Sequence, residues 1–278
     1  MSAPLFALLV FVGSLAAGLL GALTGIGGGI VIVPMLTTLF HVDLRYAIGA
    51  SLVSIIATSS GAAAAYVREG WTNVRVGILL EVGTTIGALG GAAIAPLVPT
   101  SALSILLGVV LLLTTWRSLQ APASHDTDAP SHPWARRLRL ESWYPTPSGP
   151  RAYGVQAVPV GFSLMFLAGV FSALLGIGSG VLKVLAMDRY MKLPLKVSTT
   201  TSNFMIGVTA AASAGVYLHR GYILPEIAAP VMLGVLAGAM LGARLLGAAR
   251  TRALRLLFNG VVIVLAVQML YAGVRGLP

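Results

Sequence analysis

Apolar residues run through this chain in long blocks separated by short polar stretches. A helix needs roughly 20 residues to cross about 30 Å of hydrocarbon, and six blocks approach that length: 44–67, 75–97, 101–116, 195–218, 223–246 and 253–272. Two further blocks, 3–40 and 155–187, are too long for one upright helix and contain glycine clusters. The pattern predicts an all-α integral membrane protein.

Composition agrees with a membrane protein. The chain is 57% hydrophobic and only 9% charged, which leaves too little polar surface to coat a soluble globule. Its net charge of +10 comes from Lys and Arg between the apolar blocks, a pattern that orients membrane helices and does not indicate nucleic acid. Residues 1–23 lack a basic start and are expected to remain in the mature protein.

The chain repeats itself at a fixed offset. A shift of 151 residues aligns 17–118 with 168–269 without a gap, matching Ser51 with Ser202 and Gly87 with Gly238. An ungapped register through loops predicts two homologous repeats, at 1–117 and 154–278. The proline-rich segment 118–153 joins them as a cytoplasmic linker, and its centre, 134–143, is either a short interfacial helix or plain solvated chain.

Charge in the loops predicts that the repeats are inverted. The stretch 96–102 is uncharged, whereas its repeat partner carries four arginines at 244–255. Because positive loops face the cytoplasm, equivalent loops lie on opposite faces. The loop charges agree with one topology if 3–40 and 155–187 are hairpins that enter and leave the membrane on one face. Each repeat then has one hairpin plus three crossings. Four plain crossings per half, in parallel repeats, remain the alternative.

Glycine strings break both predicted hairpins at matching positions, 25–29 and 176–180. Non-helical backbone is tolerated at membrane depth only where protein or a water-filled cavity satisfies it. A helix that restarts there points free N–H groups at the cavity, which favours an anion. The alternative is close helix packing, as expected for Gly83, Gly87 and Gly91 with their four-residue spacing.

The strings GIGGGIVIVP at 25–34 and GIGSGVLKVL at 176–185, each followed by a polar helix start, resemble the TauE/SafE sulfite exporter family of membrane permeases. The resemblance covers nearly the whole chain outside the linker. It implies a permease for sulfite, an organosulfonate or a related small anion. The second string departs from the family pattern at Ser179 and Lys183.

Polar residues near the glycine strings complete the predicted site, because hydroxyls and amides offer donors to an oxyanion. Lys183 is either the cation that neutralises the anion or a side chain that snorkels to the nearby membrane face. Glu81 is a candidate for proton coupling, with a structural role near Arg75 as the alternative, and Arg244 is assigned to the positive loop. The predicted substrate-binding residues are Gly27, Gly28, Gly29, Ser51, Ser54, Gly178, Ser179, Gly180, Lys183, Thr201, Ser202 and Asn203.

The sequence gives little support for catalysis or for metal binding. The four histidines lie in or near loops without metal-ligand spacing, and there is no cysteine, so we predict no enzyme, metal or cofactor. We predict a secondary transporter, working as an exporter of a small sulfur-containing anion by alternating access. It would lie in the cell membrane (the inner membrane in a Gram-negative bacterium), with a homodimer left open. The alternatives are an anion channel or a permease for another small organic anion.

Overall fold

The computed structural model describes residues 3–24, 29–119, 131–146, 149–245 and 251–276, and it is mostly helical. The first half contains α1 (Ala3–Thr24), α2 (Gly29–Thr38), α3 (Leu44–Arg68), α4 (Val74–Ile94) and α5 (Thr100–Leu119). The linker contains α6 (Pro133–Arg137), β1 (Ser142–Tyr144) and β2 (Arg151–Tyr153). The second half contains α7 (Val158–Leu175), α8 (Gly180–Leu185), α9 (Leu195–His219), α10 (Pro225–Leu245) and α11 (Thr251–Arg275).

The all-α membrane architecture is confirmed in its coarse features. Of the described helices, four contain a stretch long and apolar enough to cross a bilayer: Val74–Leu97, Val158–Leu175, Pro225–Gly242 and Phe258–Arg275. Apolar side chains also cover the outside of the bundle, where Ile86, Val264 and Val267 are each more than half exposed. Such a surface is stable in lipid but not in water.

Each glycine-broken block folds back on itself. In the first block the ring of Phe6 in α1 contacts that of Phe40, which follows α2, with centroids 5.8 Å apart. In the second block the backbone N–H of Gln156, before α7, donates to the Met191 carbonyl at 3.0 Å. Met191 follows the π-helical turn Ala186–Tyr190 that extends α8. Both blocks therefore end beside their own starting points.

Helix bounds in the two halves follow the same offset as the sequence. Leu44–Arg68 and Leu195–His219 begin and end 151 residues apart (195 − 44 = 219 − 68 = 151), and so do Val74–Ile94 and Pro225–Leu245. The helices of one half pack mainly on those of the other, α1 along α10, α4 along α7, α3 along α9 and α5 along α11. The halves are therefore interlocked, not side by side.

Glycines let two of these helix pairs touch at their backbones. A Cβ at Gly87 would collide with the carbonyl oxygen of Phe166 in α7, and a Cβ at Gly238 would collide with that of Leu15 in α1. Small residues at a four-residue spacing allow this approach in membranes. The packing interpretation of these glycines agrees with their contacts.

The pairs α3–α9 and α5–α11 run antiparallel. In each pair the start of one helix lies beside the end of the other, which requires opposite directions. The contacts that fix the directions are Gly49 with Tyr222 and Trp71 with Thr200 for α3–α9, and Gly108 with Leu270 and Gly273 with Ile105 for α5–α11.

The linker folds as a small cap, which corrects one sequence expectation. A helix through 134–143 was predicted as one alternative, but the helix ends at Arg137 and Trp143 lies on β1. Arg139 adopts a left-handed conformation with φ 51°, and the Leu140 N–H donates back to the Ala135 carbonyl at 2.9 Å, which ends the helix. Plain solvated chain is equally wrong for the described part, because Ala135 and Leu140 are buried.

Candidate functional site

The two hairpins approach each other at Ser51 on α3. The Ser51 hydroxyl donates to the Gly176 carbonyl at 2.6 Å and lies 3.4 Å from the Gly29 carbonyl. Gly176 ends α7 and Gly29 begins α2. One buried hydroxyl therefore connects both broken helices. Gly27 and Gly28, which were also predicted in this site, lie outside the described residues.

The second half makes the matching contacts. Ser202 on α9 donates to the Gly180 carbonyl at 3.2 Å. A Cβ at Gly180 would lie 2.8 Å from Ile206, just as a Cβ at Gly29 would lie 2.8 Å from Ile55. In this conformation the hydroxyls of Ser51 and Ser202 are therefore used by hairpin carbonyls, and isoleucines cover the glycines.

The tip of the second hairpin holds its backbone in an unusual conformation. Gly176, Gly178 and Ser179 all have positive φ, at 65°, 71° and 47°. Glycine tolerates this region, whereas serine adopts it at an energetic cost. Ser179 is only 2% exposed, and its hydroxyl makes no hydrogen bond to any described residue. A buried hydroxyl without a partner is costly, so Ser179 is the donor at this tip that is free to bind a ligand.

The remaining predicted hydroxyls and the amide divide into two groups. Ser54 donates to the Ser51 carbonyl in its own helix, and the Thr201 hydroxyl accepts the backbone N–H of Asn73 at 3.0 Å. Neither hydroxyl therefore contacts a hairpin. The side chain of Asn203 is partly exposed and makes no hydrogen bond within the described part of the chain, so its amide stays available.

Lys183 is completely buried, about one helical turn beyond Ser179. Its Nζ donates to the Thr209 hydroxyl at 2.5 Å and lies 3.7 Å from Oε2 of Glu81. Thr209 in turn donates to Oε1 of Glu81 at 2.7 Å. The snorkelling alternative for Lys183 is therefore wrong, because its ammonium group points to a carboxylate inside the bundle.

Glu81 is held by hydroxyls as well as by the lysine. Thr84 donates to its Oε2 at 2.9 Å and Thr85 to its Oε1 at 3.2 Å. Arg75 does not contact this carboxylate, since its guanidinium donates to the Arg139 carbonyl at 3.0 Å. Glu81 is only 7% exposed, so this is a buried ion pair embedded in threonine hydroxyls. The side chain of Arg244 lies outside the described residues.

Sequence reasoning singled out both charged residues but missed that they pair. Spacing along the chain gives no distance between α4 and α8. One signal was available: Glu81 matches Met232 and Lys183 matches Ile32 in the repeat alignment. Both members of the pair replace an apolar counterpart, with opposite signs of charge, which is what a compensated pair requires.

Asn73 is a second residue that sequence reasoning missed. Its side-chain amide donates to the Leu140 carbonyl at 2.9 Å and to the Tyr153 hydroxyl at 2.8 Å, and its oxygen caps α4 at Val76. Burial raises the pKa of Tyr153 to about 12, with the Asn73 hydrogen bond opposing that shift, so the phenol is neutral at physiological pH. Asn73 therefore ties the linker to the first half.

A groove lies beside Asn73, on the linker side of the bundle and away from the hairpin tips. Its volume is about 350 Å³. It contains both a cationic and an anionic side chain, which gives it no preference for anions. The residues that line it are Thr72, Asn73, Val74, Arg75, Glu141, Ser142 and Trp143.

A helical bundle with two broken hairpins meeting at its centre has the architecture of a membrane transporter. Residues 10–269 match the family model described as "Sulfite exporter TauE/SafE". The chain belongs to the TauE/SafE sulfite exporter family.

Curated relatives support the same class of protein. The chain is 30% identical over 276 residues to "Probable membrane transporter protein YunE" of Bacillus subtilis (strain 168), covering 97% of this chain and 98% of the relative. It is 25% identical to YdhB of the same organism, over 86% and 89% of the two chains. It is 24% identical to MJ0441 of Methanocaldococcus jannaschii, over 96% of each chain. No solved structure matches this chain significantly.

Proposed function

We propose that this protein is a secondary transporter that carries a small sulfur-containing anion, such as sulfite or an organosulfonate, across the cell membrane by alternating access. The observation that carries the proposal is the Ser51 hydroxyl between the carbonyls of Gly29 and Gly176, where the two hairpins approach each other. Transporters place their substrate sites where discontinuous helices come together near the midplane. Membership of a family described as "Sulfite exporter TauE/SafE" supports this substrate class and the direction of export.

Inverted repeats are part of the proposal. The helices α3 and α9 have matching bounds at the 151-residue offset yet run antiparallel, and α5 and α11 are antiparallel as well. Each hairpin also returns to its own starting point. These directions support a pseudo-two-fold axis in the membrane plane. Halves related in this way can exchange conformations, which opens the centre to each face in turn.

The anion would bind at the tip of the second hairpin. Ser179 offers an unpartnered buried hydroxyl there, and Asn203 on α9 offers an amide that no described residue uses. Lys183 supplies positive charge one turn away. These groups suit a small oxyanion, because hydroxyl and amide donors can replace its water shell while the lysine compensates its charge.

Glu81 is the proposed proton site. The groups that contact its carboxylate are Lys183, Thr84, Thr85 and Thr209. Protonation of Glu81 would leave the Lys183 cation unbalanced in a buried position, and a bound anion would restore neutrality. Proton and anion would then move together. Export would require an outward anion gradient larger than any opposing proton gradient, and an acidic exterior would drive uptake.

The test is uptake of radiolabelled sulfite by proteoliposomes, with taurine, sulfoacetate, thiosulfate, sulfate and chloride as competitors. Saturable uptake that accelerates when the outside is acidified is the expected result. Uptake that rises linearly with concentration and follows the membrane potential would indicate a channel. Absence of uptake for every sulfur anion would contradict the substrate class.

Two variants locate the site within the same assay. Ser179→Ala and Asn203→Ala each remove one donor to a charged ligand, so KM should rise about ten-fold or more. Ser163→Ala is the matched control, because its exposed hydroxyl donates only to the Pro159 carbonyl of its own helix. Unchanged KM in both site variants would remove this tip from the binding site.

A further inference from the structure

The same cation–aromatic contact occurs twice in this molecule. The Arg45 guanidinium carbon lies 5.9 Å from the ring centroid of Tyr222, and the Lys196 Nζ lies 3.5 Å from the ring centroid of Trp71. Arg45 and Lys196 are 151 residues apart, and so are Trp71 and Tyr222. The two contacts therefore join equivalent positions of the two halves.

These contacts lie at opposite ends of the α3–α9 pair. Arg45 is at the start of α3, and its partner Tyr222 lies just past the end of α9. Lys196 is at the start of α9, and its partner Trp71 lies just past the end of α3. A helix of 25 residues, the length of α3 and of α9, is about 37 Å long at about 1.5 Å per residue. One contact therefore lies toward each face of the membrane.

The hairpin tips lie between the two contacts. Ser51 is six residues beyond Arg45 on α3, and Ser202 is six residues beyond Lys196 on α9, which is about 9 Å along each helix. Both serines contact the hairpin carbonyls. Each cation–aromatic pair thus lies between these serines and one end of the α3–α9 pair.

We propose that Arg45–Tyr222 and Lys196–Trp71 are the two gates of this transporter, one for each face. This inference rests on the proposed alternating access. Both gates are closed in the conformation described. Opening to one face requires the pair on that face to separate while the other holds, and contacts of this kind are weak enough to open thermally.

The two gates differ in their neighbours. On the linker side the Thr200 hydroxyl donates to the Trp71 carbonyl at 3.0 Å, and the Trp71 ring lies 6.0 Å from that of Tyr144 in the linker. The position equivalent to Thr200 is Gly49, which has no hydroxyl to offer the Tyr222 carbonyl beside it. Arg45 in turn donates to the Pro96 carbonyl at 3.2 Å, and the Tyr222 ring packs 5.8 Å from that of Tyr46. Each gate is therefore held by different neighbours.

The absence of cysteine in this chain allows each gate to be locked chemically. Two double variants would be crosslinked with a short bis-maleimide: Arg45→Cys/Tyr222→Cys and Trp71→Cys/Lys196→Cys. A disulfide crosslink is avoided because sulfite attacks disulfides, and excess reagent would be washed away before the assay. Either crosslink should lower flux about ten-fold or more relative to the four single-cysteine variants treated identically. A crosslinked protein that transports at the rate of its single-cysteine controls would overturn the proposal.

A second measurement separates the gates from the identity of the substrate. Asn203→Cys serves as a reporter for a membrane-impermeant maleimide added from either face. Arg45→Gln should accelerate labelling about five-fold from the Arg45 face only, and Lys196→Gln from the linker face only. Sulfite flux is measured separately, in the protein without the reporter cysteine. Loss of all sulfite flux there, together with this reciprocal labelling, would defeat the proposed substrate but support the gates. Normal flux with equal labelling from both faces would defeat the gates alone.

Discussion

The two hairpins share their backbone contacts but differ in charge at one position. Ile32 in the first hairpin and Lys183 in the second are both completely buried. Lys183 pairs with Glu81, and the counterpart of Glu81 in the repeat alignment is the apolar Met232. Because an apolar residue fills the same position in the first half, the fold does not need a charge there. The buried ion pair is therefore better explained by function than by stability, since such pairs seldom stabilise more than apolar residues would.

Among the variants considered, removal of one member of the ion pair should lower the stability of the protein most. Glu81→Ala leaves the Lys183 ammonium buried without a counter-charge, which should cost about 3–5 kcal/mol of stability. The measurement is thermal unfolding in detergent. Glu226→Ala, at an exposed position in the first turn of α10, is the control and should unfold near the wild-type temperature. Equal unfolding temperatures for both variants would mean that the pair does not form.

Substitution of a packing glycine should destabilise the protein to a similar extent in either half, whereas the charged position has no equivalent in the first hairpin. Gly87→Ala and Gly238→Ala each place a methyl group against a backbone carbonyl of the facing helix, so each should destabilise the protein by about 1–3 kcal/mol. Gly90→Ala is the control, because a Cβ there meets nothing within 4 Å. A loss confined to one half would show that the two interfaces are not equivalent.

The linker packs on one end of the bundle only, and the Asn73 side chain attaches it there through hydrogen bonds. Asn73→Ala removes hydrogen bonds to Leu140 and Tyr153 and the cap of α4 at Val76. The loss should cost about 2–3 kcal/mol and expose the linker to protease. Limited proteolysis compares this variant with Arg75→Ala, which loses only an exposed hydrogen bond to the linker. Identical cleavage rates would exclude Asn73 as the main attachment.

Replacing both members of the ion pair by their apolar counterparts in the other half should change stability least. The double variant Lys183→Ile/Glu81→Met removes both charges together, so its stability should stay within about 1–2 kcal/mol of wild type. Its sulfite uptake should no longer accelerate when the outside is acidified. Retained acceleration would move proton coupling to another group and leave the pair with a structural role only.

The sequence was sufficient for the helical membrane architecture, because the length of an apolar block is a local pattern. Six full crossings were predicted, whereas four of the described helices are long and apolar enough to span a membrane, and one of them, Val158–Leu175, lies in a predicted hairpin. The sequence also selected Ser51 and Ser202, although both donate to hairpin carbonyls in this conformation. The Lys183–Glu81 pair needed the tertiary structure, since α8 and α4 come from different halves. The linker fold was missed because a left-handed arginine, Arg139, ends its helix where no glycine marks the turn.

The exchange of helices between halves has a consequence for biosynthesis. The partner of α1 is α10, which begins only at Pro225, so most of the chain must leave the ribosome before the first helix finds its place. Until then the face of α1 that packs against Gly234 and Gly238 of α10 lies against lipid. Assembly in the membrane is therefore a late event, and neither half expressed alone should form a stable unit.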